Sequence, residues 1–223
     1  TLLRFLLTLT FISCYSGKLK PLASFPIALK EASAAEVIDG TNVMWTLEDH
    51  GNDSDLHAFN ALTGERISSF KVDAPNKDWE DLTSDEHGNL YIGDIGNNDH
   101  KRKELQIYKV SNPLKSEGTL NVLETITFNL PKNLMKNDFE AFFLWNNHFY
   151  LFSKNHKKVV MLKVPNRNGN QTVQLLTHFK FEEGKDNRIT SADIRKDGRE
   201  LVLLNHEKLW RITEFTGDRF FEG

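Results

Sequence analysis

One acidic and aromatic motif heads two nearly matching strand patterns, and this repetition limits the chain to few folds. Asp78-Trp-Glu-Asp-Leu82 is echoed by Asp138-Phe-Glu-Ala-Phe142. Each copy leads through a turn to an aromatic strand, Leu90-Tyr-Ile-Gly-Asp94 or Phe149-Tyr-Leu-Phe-Ser153. A polar turn follows, then Ile107-Tyr-Lys-Val110 or Met161-Leu-Lys-Val164. A third copy runs Ile189-Thr-Ser-Ala-Asp-Ile194, turn Asp197-Gly198, Leu201-Val-Leu-Leu204 and Leu209-Trp-Arg-Ile212. An earlier one runs Val43-Met-Trp-Thr-Leu47, Leu56-His-Ala-Phe-Asn60, Thr63-Gly64 and Arg66-Ile-Ser-Ser-Phe70. Copies recurring every roughly 45 to 60 residues, with about four strands each, have the period of β-propeller blades.

The segments between these landmarks agree. Short runs are β-branched, aromatic or alternating, as in Leu123-Glu-Thr-Ile-Thr-Phe128 and Thr172-Val-Gln-Leu-Leu176. Turn signals separate them at His87-Gly-Asn89, Asn146-Asn147 and Asn168-Gly-Asn170. No long stretch after about Phe25 has a helical period. The 16 phenylalanines suit large apolar contacts between stacked sheets. The expected fold is all-β: a propeller of four-stranded antiparallel blades. A sandwich of two packed sheets is the alternative. Four blades are visible, and the last ends at Arg219-Phe-Phe-Glu-Gly223, where another strand would begin. The reading is a six-bladed ring truncated in this sequence, with residues 21–223 forming a propeller domain incomplete at its C-terminus.

Residues 1–20 read differently. Arg4 precedes a short apolar run that meets Ser13 and Cys14, the order of a signal peptide. Phe11-Ile-Ser-Cys14 also resembles the bacterial lipobox, with Phe where Leu is usual. The expectation is export, lipidation at Cys14, and a polar tether through Lys18 and Lys20. The protein would then sit on the outer membrane by that anchor alone, or be free in the periplasm or outside the cell. The apolar run is too short to span a bilayer as a helix. Cys14 is the only cysteine, which excludes a disulfide framework and a cysteine-based zinc site. With 28 Lys and Arg against 31 Asp and Glu, no basic surplus exists to hold nucleic acid. A monomer engaging a surface or periplasmic ligand is the expected partner state.

The block Asp78-Trp-Glu-Asp-Leu-Thr-Ser-Asp-Glu-His-Gly-Asn-Leu-Tyr-Ile-Gly-Asp-Ile-Gly-Asn97-Asn98 is long and specific. With the later Asp138-Phe-Glu-Ala141, it resembles a group of secreted or lipid-anchored bacterial β-propellers of uncharacterised activity. Trp45-Thr-Leu-Glu-Asp-His-Gly-Asn52 is similar to that group's Trp-x-x-Asn-Asp-x-Gly element, with Glu48 in place of Asn. The resemblance covers about residues 25 to 212. In outline the group is similar to SdiA-regulated and regucalcin-like six-bladed propellers. It implies a propeller and an extracytoplasmic address, and no activity.

Innermost propeller strands line a central channel, so Asp78, Glu80, Asp81, Asp138 and Glu140 are candidate ligand-binding residues. Clustered carboxylates hold a hard cation such as Ca²⁺, raise one another's pKa for acid–base work, or cap turns and accept backbone N–H bonds between blades. Side chains alternate along a strand. If Trp79 and Phe139 pack between sheets, Glu80 and Glu140 face the channel. Those two glutamates are therefore the expected core of a metal site, with Asp94 at its rim. Aligning Gly198 on Gly88 sets Thr190 opposite Glu80, so any carboxylate ring is uneven. Asp94-Ile-Gly-Asn-Asn-Asp99 and Asp49-His-Gly-Asn-Asp-Ser-Asp55 carry many oxygens, without EF-hand spacing. Serine-hydrolase, zincin and P-loop motifs are absent from the sequence. Three functions remain: an exported binding propeller, a Ca²⁺-dependent hydrolase of the lactonase, phosphoesterase or phytase-like kind, or a structural partner domain in an outer-membrane assembly.

Overall fold

The structure is a computed structural model that describes residues 21–25, 29–181 and 186–221. The leader and Cys14 lie outside the described residues. Four antiparallel sheets stand in a ring, as in a four-blade β-propeller. The first contains β1 (Glu36–Val37), β2 (Val43–Leu47), β3 (Asp55–Asn60) and β4 (Arg66–Lys71), in that order. The second contains β5 (Trp79–Ser84), β6 (Leu90–Asp94), β7 (Glu104–Val110) and β8 (Val122–Asn129). The third contains β9 (Phe139–Trp145), β10 (His148–Ser153) and β11 (Val159–Pro165); β12 (Gly169–Gln171) then leaves it before β13 (Gln174–Phe179) completes it. The fourth contains β14 (Ser191–Ile194), β15 (Glu200–Leu204) and β16 (Leu209–Thr213). Helix among the described residues amounts to one 3₁₀ turn, Pro113–Lys115. Blades five and six of the expected ring are not among the described residues.

Three differences from the sequence reading have identifiable causes. The inner strand of the first blade precedes Val43: Ser33 N donates to Leu47 O (3.2 Å) and Asp49 N to Glu31 O (3.0 Å). Its Glu-Ala-Ser-Ala-Ala composition hides it from a hydrophobic pattern. The segment at Asn168-Gly-Asn170 is more than a turn. Asn168 Oδ1 accepts from Thr125 N (3.0 Å), and β12 then pairs in parallel with β8, a fifth strand for the second blade. That crossover moves β13 along the chain from the expected Thr172–Leu176. By contrast, Asn146 and Asn147 form the expected two-residue turn, with φ of 47° and 57° that asparagine tolerates.

The core is divided among the blade junctions. Trp79 packs with Trp45, Leu47 and Leu56, between the first and second blades. Phe139, Phe142 and Phe149 pack with Tyr91, Ile95 and Ile107, between the second and third. Ile189 and Leu203 pack with Phe143 and Tyr150, between the third and fourth. In the second, third and fourth blades, Trp79, Phe139 and Ile189, at or just before the inner strand, thus pack back onto the preceding blade. Phe142 and Phe143, adjacent on β9, serve opposite junctions because side chains alternate. At one mouth Lys196 pairs with Asp39, joining the fourth blade to the first.

Candidate metal and ligand site

Both acidic motifs end in a β-bulge, and the bulge sits on the glutamate. On β5, Trp79 pairs with Asp94 and Asp81 with Gly93, leaving Glu80 unpaired. On β9, Phe139 pairs with Ser153 and Ala141 with Phe152, leaving Glu140 unpaired. A bulge adds one residue to a strand and re-aims its side chain. With Trp79 and Phe139 anchored in the blade junctions, the two glutamates turn to the start of the channel.

There they meet other acids. Ligand oxygens of Asp49, Asp78 and Glu80 lie within 4.8 Å of one another, and so do those of Glu80, Asp138 and Glu140. Glu80 is the member common to both groups. Asp78, Glu80, Asp138 and Glu140 are all buried. Glu80 is 3% exposed, and its Oε1 is buried without a hydrogen-bond partner. Lys154 Nζ, from the loop after β10, meets Glu140 Oε1 at 2.5 Å. Asp138 Oδ1 accepts from Asn97 N at 2.6 Å.

Burial raises the Glu80 carboxyl far above its ordinary range, with the charges of Glu140 and Asp49 adding to the effect. Glu140 is also raised by burial, against the opposing pull of Lys154. Asp78 is pushed up to about 6 by burial and by Asp49 and Asp138. Like charges this close, out of water, require a proton or a cation.

The remaining sequence-predicted acids are placed elsewhere. Asp81 is not in the cluster: its Oδ2 accepts from Phe142 N (3.1 Å) and its Oδ1 from Leu82 N (2.9 Å). It laces β5 to β9, the structural role weighed for all five acids. Asp94 is 0% exposed and belongs to neither triad. It pairs with Arg102 Nη1 (2.8 Å) and accepts from Asp78 N (3.0 Å), so it supports the site from behind. Arg102 also donates to Gly96 O (2.8 Å) and to Asp94 O (3.0 Å). Asn97 Nδ2 reaches Met135 O (3.0 Å) and Asn137 O (3.1 Å), fastening the second blade to the third.

These contacts explain the Gly-Asp-Ile-Gly-Asn run in physical terms. A Cβ on Gly93 would stand 2.7 Å from the Phe142 ring. A Cβ on Gly96 would collide with Glu80 Oε1 and the Asp78 carboxyl. The sequence reading had Asp49 only within an oxygen-rich turn and did not mark Lys154 at all. The sequence repeat sets Ile95 opposite Lys154, so it carries no signal for this lysine; only the fold shows that Lys154 N bonds Asp138 O (2.9 Å) as Gly96 N bonds Asp78 O (3.1 Å).

Three members of the cluster, Asp49, Glu80 and Glu140, line a cavity of about 460 Å³. Every blade contributes to it: Thr46 from the first, Glu80 from the second, Glu140 from the third, and Thr190 and Ser191 from the fourth. Thr190, opposite Glu80 in the repeat, supplies a hydroxyl where that blade has no acid. A second cavity of about 1020 Å³ opens at the far ends of the inner strands, bordered by Glu36, Trp145 and Asp193. Glu36 is raised to about 7 by burial.

No family model matches this sequence, and no curated protein matches it. Solved structures do resemble the fold. The computationally designed Ika4 protein is 13% identical, with TM-score 0.40, 86% of this chain and 98% of that one covered. A Lactobacillus plantarum protein is 12% identical, with TM-score 0.43, 82% of this chain and 51% of that one covered. Kuenenia stuttgartiensis hydrazine synthase is 9% identical, with TM-score 0.46, 92% of this chain and 49% of that one covered. At these values the likeness carries no functional assignment.

Proposed function

We propose that this protein is a propeller binding protein whose channel site is organised by one divalent cation at Glu80, with Ca²⁺ the best-fitting ion. The observation that carries the reading is Glu80 Oε1, buried, unpartnered and common to two carboxylate triads. All the donor atoms of those triads are oxygens, the preference of a hard cation. A cation there offsets both the burial of the Glu80 carboxyl and its repulsion by Glu140 and Asp49. The test is calorimetric titration of Ca²⁺ and Mg²⁺ into ion-free wild type and Glu80→Gln. Binding to wild type, at least about tenfold weaker in the variant, supports the reading. Absence of binding to wild type, or equal binding to both, sinks it.

A second reading, a cation-dependent hydrolase, has its own observation. Glu80, a carboxyl raised far above its ordinary range, borders a cavity with room for a small substrate. Such a group beside a metal can serve as general acid or base. Lactone, phosphoester and carboxyl-ester substrates assayed with Ca²⁺ separate the readings. Turnover abolished by Glu80→Gln identifies an enzyme.

We also propose export with lipidation at Cys14, supported by Arg4, the apolar run and Ser13-Cys14. Among the described residues, no helix is long and apolar enough to cross a membrane. Expressed from its full precursor, the protein should fractionate with membranes, and Cys14→Ala should release it or leave it unprocessed. A mature product that retains residues 1–13 without lipid overturns the proposal.

A further inference from the structure

The cavity in front of Glu80 has a chemistry of its own. Its floor is acidic: Asp49, Glu80 and Glu140. Its walls are mainly apolar, including Met44, Leu204 and Ala34, with hydroxyls at Thr46 and Ser191. Among the described residues that line it, none is lysine or arginine, and the one basic side chain is His206, whose Nδ1 lies 3.7 Å from Asp186 Oδ2. An anionic ligand would therefore enter against three carboxylates, with a single imidazole already beside an acid to answer its charge. A neutral apolar ligand would fill the walls and leave Glu80 Oε1 buried and unpaired, which is costly. An ammonium group supplies three donors and one positive charge.

The protein already shows how an ammonium sits in this cluster. Lys154 brings its own ammonium to Glu140 Oε1. Glu80, the adjacent glutamate of the same triad, has no such partner. We infer that the cavity accepts a small organic ammonium ligand, its nitrogen on Glu80 and its apolar body against Met44 and Leu204. The inference shares with the cation reading the premise that Glu80 is a ligand group. It goes further by naming an organic occupant that competes with the inorganic ion. A cavity of about 460 Å³ admits a short-chain amine with space to spare. Thr46 and Ser191 can accept hydrogen bonds from a second polar end of such a molecule.

The probes are butylamine, butanol and butyrate, which have the same carbon chain and differ in charge. Each is titrated calorimetrically, at millimolar concentration, into the ion-free full chain in an amine-free buffer. The expected result is binding of butylamine alone, weakened at least about tenfold in Glu80→Gln, with Ca²⁺ raising its apparent Kd competitively. Leu204→Trp, which fills the cavity mouth without touching the acids, should lose butylamine and keep Ca²⁺. This variant also protects the test against a misfolded Glu80→Gln. If Ca²⁺ binds and butylamine does not, the inference falls and the cation reading stands. If butylamine binds and Ca²⁺ does not, the cation reading falls instead. Equal binding of butanol, or unchanged butylamine affinity in Glu80→Gln, overturns the inference as well.

Discussion

Glu80 and Asp81 are neighbours on one strand and have opposite fates. Asp81 spends both oxygens on backbone N–H groups, one of them from the next blade. Glu80 spends its buried Oε1 on nothing. An unpaired, charge-crowded carboxyl is a stability cost that function must justify. In the ion-free protein, Glu80→Gln should therefore raise Tm, by about 2 to 5 °C, while weakening cation binding. Differential scanning calorimetry with and without chelator measures the first effect. Asp81→Asn should do the reverse, lowering Tm by weakening the lacing of β5 to β9 and leaving cation affinity within about twofold. A Tm drop in Glu80→Gln would mark Glu80 as structural.

Two nearby glycines, Gly93 on β6 and Gly96 just after it, make room for different things. Gly93 gives space to the Phe142 ring, and Gly96 lets the backbone run against the Asp78 and Glu80 carboxyls. Gly93→Ala crowds the junction of the second and third blades and should cost about 1–3 kcal/mol of stability. Cation affinity should stay near wild type, because no ligand oxygen moves. Gly96→Ala displaces two ligand groups directly. It should cost a similar amount of stability and also weaken cation binding at least about tenfold. Paired urea denaturation and calorimetric titration separate the two. Equal affinities in both variants would mean that the Gly96 approach does not shape the site.

Across the whole molecule, the acids divide into two pH windows. Asp78 at about 6 and Glu36 at about 7, with Glu80 and Glu140 also raised, bind protons more tightly folded than unfolded. Their contribution to stability is complete below the ordinary carboxylate range and is lost as pH rises through the raised values. Asp186, held well below its usual range by Arg188, works in the other direction and loses its contribution only in strong acid. Tm of the ion-free protein should therefore peak near about pH 4 and fall at least about 5 °C by about pH 8. Saturating Ca²⁺ should abolish much of that fall, because it stabilises the ionised cluster. A Tm profile flat over that range, with no ion dependence, would show that the cluster is not strained in the folded state.

Strand runs, tight turns and the recurrence of Asp78-Trp79-Glu80 in Asp138-Phe139-Glu140 are properties of neighbouring residues, and they carried the blade architecture into the sequence reading. Alternation also pointed Glu80 and Glu140 away from Trp79 and Phe139. The bulges that aim these glutamates were not legible, because a bulge is a relation between two paired strands. Nor was the separation of Asp81 and Asp94 from the cluster, which depends on how Phe142 N and Arg102 approach them. Asp49 and Lys154 join the site from other loops, and no spacing along the chain encodes distances across a ring. The inner strand β1 and the segment leading into it stayed hidden behind a Glu-Ala-Ser-Ala-Ala composition without a strand pattern. The crossover of β12 stayed hidden because its partner, β8, is far away in sequence.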